Sequence, residues 1–219
     1  EVDSDMKKRT AFIGAILSLM PLSQPLIFKT IVSLSTVGLI ISEIQDVKAE
    51  DAEIYNTKGM KNHYENDHYG AISNYSKAIQ MAPKVGEYYY NRGLSKNKIK
   101  DYKGAISDFT KAIELKPQFA DAYRDRGLSH AELGDYYAAI SDGNKAIKYN
   151  PNDVKAYFNL GLDKQAIGDL KGACTAWRKA SSLGDEQAVK VLRDYCTTSK
   201  HQNWVEPLSG NKRILRTQL

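Results

Sequence analysis

Between residues 52 and 187 the chain alternates two kinds of helical stretch, and the pattern returns at a fixed step of thirty-four positions. The first stretch of each unit carries tyrosine at its fourth position (Tyr55, Tyr89, Tyr123, Tyr157) and glycine at its eighth (Gly59, Gly93, Gly127, Gly161). The second carries alanine at 71, 105, 139 and 173, and again at 78, 112, 146 and 180. Small residues at a helical period let two backbones approach, and large ones such as Tyr75, Phe109 and Trp177 fill the space beside them at near-crystal density. A fixed step of this length marks stacked helical hairpins. The units run approximately 52–85, 86–119, 120–153 and 154–187.

The turns have their own signature. Asp67, Asp101, Asp135 and Asp169 each precede a second helix and can cap its free N–H groups, worth about 0.5–2 kcal/mol. Gly134 and Gly168 suit a left-handed helix end. Pro83, Pro117 and Pro151 close the second helices, because proline disfavours the helical state of the residue before it. Glu186 to Tyr195 reads as one more helix, with Ala188, Val189, Val191 and Leu192 as its apolar stripe, covering the end of the array.

The Gly-Asp-Tyr turn, the alanine three residues on, the aromatic, the Lys-Ala-Ile and the closing proline resemble the tetratricopeptide repeat over about 51–185. The resemblance implies an all-α, right-handed α-solenoid of helix-turn-helix hairpins: three full repeats, a divergent fourth with Asp185 in place of proline, and a C-terminal capping helix. Two departures stand out. The seventh position, usually aliphatic, is Lys58, Arg92 and Arg126, and returns to Leu160. The aromatic of the third second-helix is replaced by Gly143.

Asp108 and Asp142 each follow an arginine, Arg92 and Arg126, at the same sixteen-position spacing, and where the arginine becomes Leu160 the matching site is Ala176. The spacing predicts Arg–Asp pairs, since partly buried charges persist mainly when paired; Lys58 with Asn74 is the first unit's counterpart. Gly143 predicts either a gap filled by a neighbour such as Tyr137 or a soft joint, at a cost of about 1 kcal/mol against alanine.

Residues 1–49 read as a segment outside the repeat domain: Met6-Lys7-Lys8-Arg9 is basic, two apolar runs follow, and Val47-Lys48-Ala49 forms a tolerable signal-peptidase site. A cleaved signal peptide, an uncleaved membrane anchor that tethers the chain, and a buried helix are the three readings. The first two carry residues 50–196 into the periplasm or a thylakoid lumen, and the repeat style is similar to proteins common in cyanobacteria and other bacteria. Residues 197–219 read as a flexible basic tail. Export would let Cys174 and Cys196, which flank the turn at Gly184, bond; closing that loop is worth about 3 kcal/mol in the chain-entropy model.

Composition adds little: 219 residues, 26% charged, 42% hydrophobic, net charge +5. The positive excess reads as scattered, so no nucleic-acid partner is expected. No Gly-rich phosphate loop, nucleophile–base pair or metal-ligand cluster is legible; His63 and His68 lack further ligands. The chain reads as a non-enzyme without cofactor or metal.

The resemblance places ligand contacts on the first helices. The fifth and ninth positions give Asn56, Met60, Tyr90, Leu94, Arg124, Leu128, Phe158 and Leu162, an apolar floor unless Leu94, Leu128 and Leu162 simply pack between repeats; the second position gives Glu53, Glu87, Asp121 and Lys155, and with Asp125 and Glu132 one flank is somewhat acidic. Such a groove suits a protein partner presenting a peptide or helix, apolar with some positive charge. The carboxylate clamp of chaperone-docking members is not matched, because its places hold Asn56, Met60, Asp121 and Asp125, and Asn91 alone agrees. The function implied is a monomeric adaptor or scaffold for complex assembly. A self-assembling structural unit and a regulatory module of a separate enzyme are the alternatives.

Overall fold

The computed structural model describes residues 26–196. The basic N-terminal stretch, the first apolar run and the basic C-terminal tail lie outside the described residues. Among the described residues every element is a helix: α1 (Leu26–Tyr64), α2 (His68–Met81), α3 (Gly86–Lys98), α4 (Tyr102–Leu115), α5 (Ala120–Glu132), α6 (Tyr136–Tyr149), α7 (Val154–Ala166), α8 (Leu170–Ser182) and α9 (Glu186–Cys196). Each helix packs on the next through turns of three or four residues, so the hairpins α1–α2, α3–α4, α5–α6 and α7–α8 stack in order with α9 on the end. This is the all-α solenoid that the fixed step of the sequence predicts.

The turns form for the stated reasons. Asp67, Asp101, Asp135 and Asp169 accept hydrogen bonds from the backbone N–H of Gly70, Gly104, Ala138 and Gly172. The second helices end one residue before Ala82, Lys116 and Asn150, whose extended ψ of 76° to 89° feeds the following proline. Just ahead of each capping aspartate the chain takes a left-handed turn: Gly134 at φ 83° and Gly168 at φ 87°, but Asn66 at φ 63° and Lys100 at φ 62°. A lysine there bears a side-chain clash of about 1–2 kcal/mol that glycine escapes. Lys100→Gly is therefore expected to raise stability by about 0.5–1 kcal/mol, the relief less the glycine's extra unfolded-state entropy. Urea melts should show the midpoint rising for Lys100→Gly and falling for Gly134→Ala.

Close approach explains three of the repeat glycines. A Cβ on Gly59 would stand 2.7 Å from the Tyr75 ring, one on Gly93 2.7 Å from Phe109, and one on Gly161 2.1 Å from Trp177. The third hairpin solves the problem differently. Gly143 has no ring to offer, and a Cβ on Gly127 would instead meet the Ala139 carbonyl at 3.2 Å and the Asp142 Cβ at 3.3 Å. Tyr137 does not fill the gap, for it is 75% exposed. Leu160 of the next hairpin does, its Cδ1 lying 3.5 Å and its Cβ 3.6 Å from where a Cβ of residue 143 would be. The two departures from the repeat pattern thus complement one another. Gly143→Ala makes only ordinary contact with Leu160 and should gain about 1 kcal/mol of helix propensity. Gly143→Phe should lower the melting temperature, since a ring must displace Leu160 at about 1–3 kcal/mol.

The cap closes the array. Ala188 and Val191 are buried against Phe158, Leu162 and Trp177, with Leu192 and Tyr195 packed alongside. Val189, read as part of that stripe, is 45% exposed. Successive helical residues point in well-separated directions, and Val189 falls beyond the buried arc. Cys174 on α8 is bonded to Cys196 at the end of α9, with Cα atoms 5.9 Å apart. At the other end, α1 runs unbroken through Val47-Lys48-Ala49 into the first repeat. Ala52 is fully buried, whereas residues 48–51 are half-buried or exposed. The part of α1 ahead of Ala52 reaches about 38 Å at the usual helical rise. No helix of the described residues is long and apolar enough to cross a membrane.

Candidate functional site: the inner face of the first helices

The first helices of successive hairpins bond one another directly. Tyr88 Oη donates to Glu53 Oε2 at 3.0 Å, Asn91 Nδ2 to Asn56 Oδ1 at 3.1 Å, and Tyr90 Oη to Asp125 Oδ2 at 2.7 Å. Ser129 Oγ donates to Asn97 Oδ1 at 2.9 Å one turn further on. The first three links join positions 35 apart, one more than the repeat, which carries each side chain across to the neighbouring helix. Helices tied this closely line the inner side of the curve, and the second helices form the outer side.

Along this inner face the expected contact residues divide into two groups. Met60 is 40% exposed, and Leu94 and Leu128 are half-buried. These three recur at the hairpin step and face outward between the polar links. The others are committed to the scaffold. Asn56 is buried and shared between Glu53 and Asn91. The Tyr90 ring packs on Phe109 and Phe119, and burial together with the Asp125 carboxylate pushes its phenol up. Arg124 donates to Asp121 at 2.6 Å, Asp153 at 2.8 Å and Asp125 at 3.1 Å. Burial works against its charge, and the Asp125 and Asp153 carboxylates outweigh that and hold the guanidinium above its usual range. Phe158 and Leu162 are each 7% exposed and belong to the core beneath α9, yet their edges line a recess of about 270 Å³ with Leu128, Lys155, Asn159 and Gln187.

The acidic flank is largely matched within the chain. Glu53 accepts from Tyr88, Asp121 binds Arg124, and Glu87 pairs with Lys116 at 2.9 Å. Asn91, the one residue agreeing with a carboxylate clamp, is already donating to Asn56. At the first turn His63 and His68 approach to 5.1 Å between rings, and His63 Nδ1 meets Ser95 Oγ at 2.8 Å. Burial first, then His68 and Lys98, lower the His63 pKa. Among the described residues no third metal-ligating group joins them.

The seventh-position pairs form as their common spacing predicts. Arg92 Nε and Nη2 donate to the two oxygens of Asp108 at 2.9 and 2.7 Å, and Arg126 does the same to Asp142 at 2.8 Å each. The remaining guanidinium nitrogens reach back to Ser76 and Thr110 of the preceding hairpin at 3.0 Å. Lys58 and Asn74 do not pair: Lys58 lies over the Tyr55 ring, and Asn74 donates to Asn62. An amide offers no charge to hold the lysine there.

Tetratricopeptide repeat models match residues 86–119 and 120–153. Residues 86–153 are two tetratricopeptide repeats. Solved structures agree on the fold. The crystal structure of MamA is 23% identical, covering 77% of this chain and 99% of its own, with a TM-score of 0.60. The first repeat domain of Spaghetti (RPAP3), bound to the HSP90 peptide SRMEEVD, is 25% identical over 55% of this chain and 95% of its own, TM-score 0.54. The Arabidopsis OM64 repeat domain is 24% identical over 54% and 98%, TM-score 0.53. No curated protein matches. Tetratricopeptide repeat proteins are interaction modules and generally not enzymes, so the repeat protein is a protein–protein interaction module.

Proposed function

We propose that this repeat protein is an adaptor that holds a peptide segment along its inner face and aids complex assembly in an exported compartment. The observation that carries the reading is the row of Met60, Leu94 and Leu128, left partly open at successive hairpins and leading into the recess beside Phe158. Apolar side chains on a face otherwise sealed by polar links are where a partner's anchors would bury surface. Because Glu87 and Asp121 are matched by Lys116 and Arg124, apolar anchors matter more than positive charge in the partner. The bonded cysteine pair supports export, since disulfides persist in oxidising compartments.

The test is a displayed peptide library selected on the full chain. Selected peptides should perturb the backbone resonances of residues 60, 94 and 128. Leu94→Glu with Leu128→Glu should weaken them at least tenfold with an unchanged melting curve. Peptides that keep their affinity for that variant would remove the reading. Light scattering that stays monomeric across a concentration series sets the adaptor apart from a self-assembling unit.

A further inference from the structure

The positive charge that reads as scattered along the chain gathers on one side once the chain is folded. Lys77, Lys111, Lys145 and Lys179 recur at the repeat step, one on each second helix, and all four are exposed. The same helices expose further cations, Lys103 and Lys148 among them. Against these, α2, α4, α6 and α8 carry three carboxylates. Asp108 and Asp142 are buried in their arginine pairs, and the exposed Glu114 pairs with Lys111 at 2.9 Å, which leaves Lys77, Lys145 and Lys179 without an unpaired carboxylate on their own helices. The inner face has no such imbalance, for its carboxylates and cations alternate and bond one another. The outer face is therefore a cationic ridge with one lysine per hairpin.

We propose that this ridge is a second docking surface, separate from the inner groove, and that its occupant is an extended acidic polypeptide segment. Charge complementarity selects an anion, and the shape of the ridge selects among anions. The second helices pack on the first helices to either side and not on one another, so the lysine row steps by more than the roughly 8–10 Å of a packed helix pair. An extended polypeptide rises about 3.3 Å per residue, so carboxylates at every third residue, about 10 Å apart, are dense enough for each lysine of the row to meet one. A flat lipid surface meets a convex ridge at few of its lysines. Single-stranded nucleic acid needs open aromatic faces for its bases beside the cations, and the rings next to this row, Tyr55 and Tyr123, are covered by Lys77 and Lys145 at 5.1 and 5.2 Å, while the exposed Tyr69 and Tyr137 stand eight residues back along their helices, about 12 Å from the row. Those cation–π contacts also hold the lysine stems in place, so less freedom is lost when an anion binds.

The experiment uses the full chain and a fluorescent 18-residue peptide with glutamate at every third position and glycine or serine between. Anisotropy should show binding that weakens steeply between low and physiological salt. Lys77→Glu, Lys145→Glu and Lys179→Glu combined should weaken it at least tenfold. The milder glutamine triple should weaken it less, and both should keep the wild-type helical signal because the three side chains are solvent-facing. Leu94→Glu with Leu128→Glu should leave it unchanged, which separates failure here from failure of the groove reading. Three results would overturn the proposal: no salt-dependent binding, equal binding by the charge-reversed triple, or tighter binding of an oligothymidine or of phosphatidylserine vesicles than of the peptide.

Discussion

Trp177→Ala is expected to lower the stability of the folded chain by about 4 kcal/mol. Trp177 has no exposed surface, its indole N–H donates to the Phe158 carbonyl at 3.2 Å, and it joins α7, α8 and α9 in one cluster. Truncation removes the largest side chain of that cluster and leaves a hole that the rigid helix ends cannot close. Gly161 shows how tightly the ring is held, since a Cβ there would lie 2.1 Å from Nε1, so Gly161→Ala should also be strongly destabilising. In a solenoid each hairpin touches only its neighbours, so the damage stays local. Hydrogen exchange should accelerate in α7, α8 and α9 while α3 and α4 keep their protection. A loss below about 1 kcal/mol, or loss of protection spread evenly along the chain, would contradict this account.

Much of the fold is legible in the sequence because it repeats. Capping aspartates, closing prolines and small–aromatic pairs recur in phase, so chance is averaged out over several units. The Arg92–Asp108 and Arg126–Asp142 pairs are legible for a related reason: they vanish together at Leu160 and Ala176. What stays hidden depends on contacts between units rather than within one. Leu160 fills the space left by Gly143 in the preceding hairpin, and only the stacking angle of hairpins three and four shows it. Tyr90 and Asp125, 35 apart, do not align in the repeat frame, although a search at one more than the period could pair them. The sequence reads Tyr90 and Arg124 as ligand contacts, and without that link it does not show that both also bond within the scaffold. The lysines of the cationic ridge do recur at the repeat step, but that Asp108 and Asp142 on the same helices are buried in arginine pairs and leave the row unbalanced shows only after folding. The continuity of α1 ahead of Ala52 is equally hidden, because a hydrophobic run is as compatible with a continuing helix as with a leader.

The buried ion pairs offer the other large effect. Asp142→Ala is expected to cost about 3 kcal/mol, because it strands a charge that has lost both of its strongest acceptors. The side chains of Arg126 and Asp142 are 16% and 6% exposed, and hydrogen bonds to Asp142 come first among the causes that raise the arginine's pKa. The guanidinium keeps only Thr110 and the Tyr123 ring face once the carboxylate is gone. The chain itself supplies the compensating change, for in the fourth hairpin Leu160 with Ala176 occupies the same two places. Arg126→Leu added to Asp142→Ala should therefore recover most of the loss, since replacing both members of a buried pair by apolar groups is often near neutral. A double-mutant cycle by urea denaturation measures the coupling directly. A coupling energy near zero would mean that the pair is incidental and that the hairpin is held by its small and aromatic residues alone. A large coupling would show why two of the four hairpins tolerate an arginine where an aliphatic side chain is usual: the cation is held by a carboxylate in its own hairpin and a hydroxyl in the one before, so it fixes the register of one unit on the next.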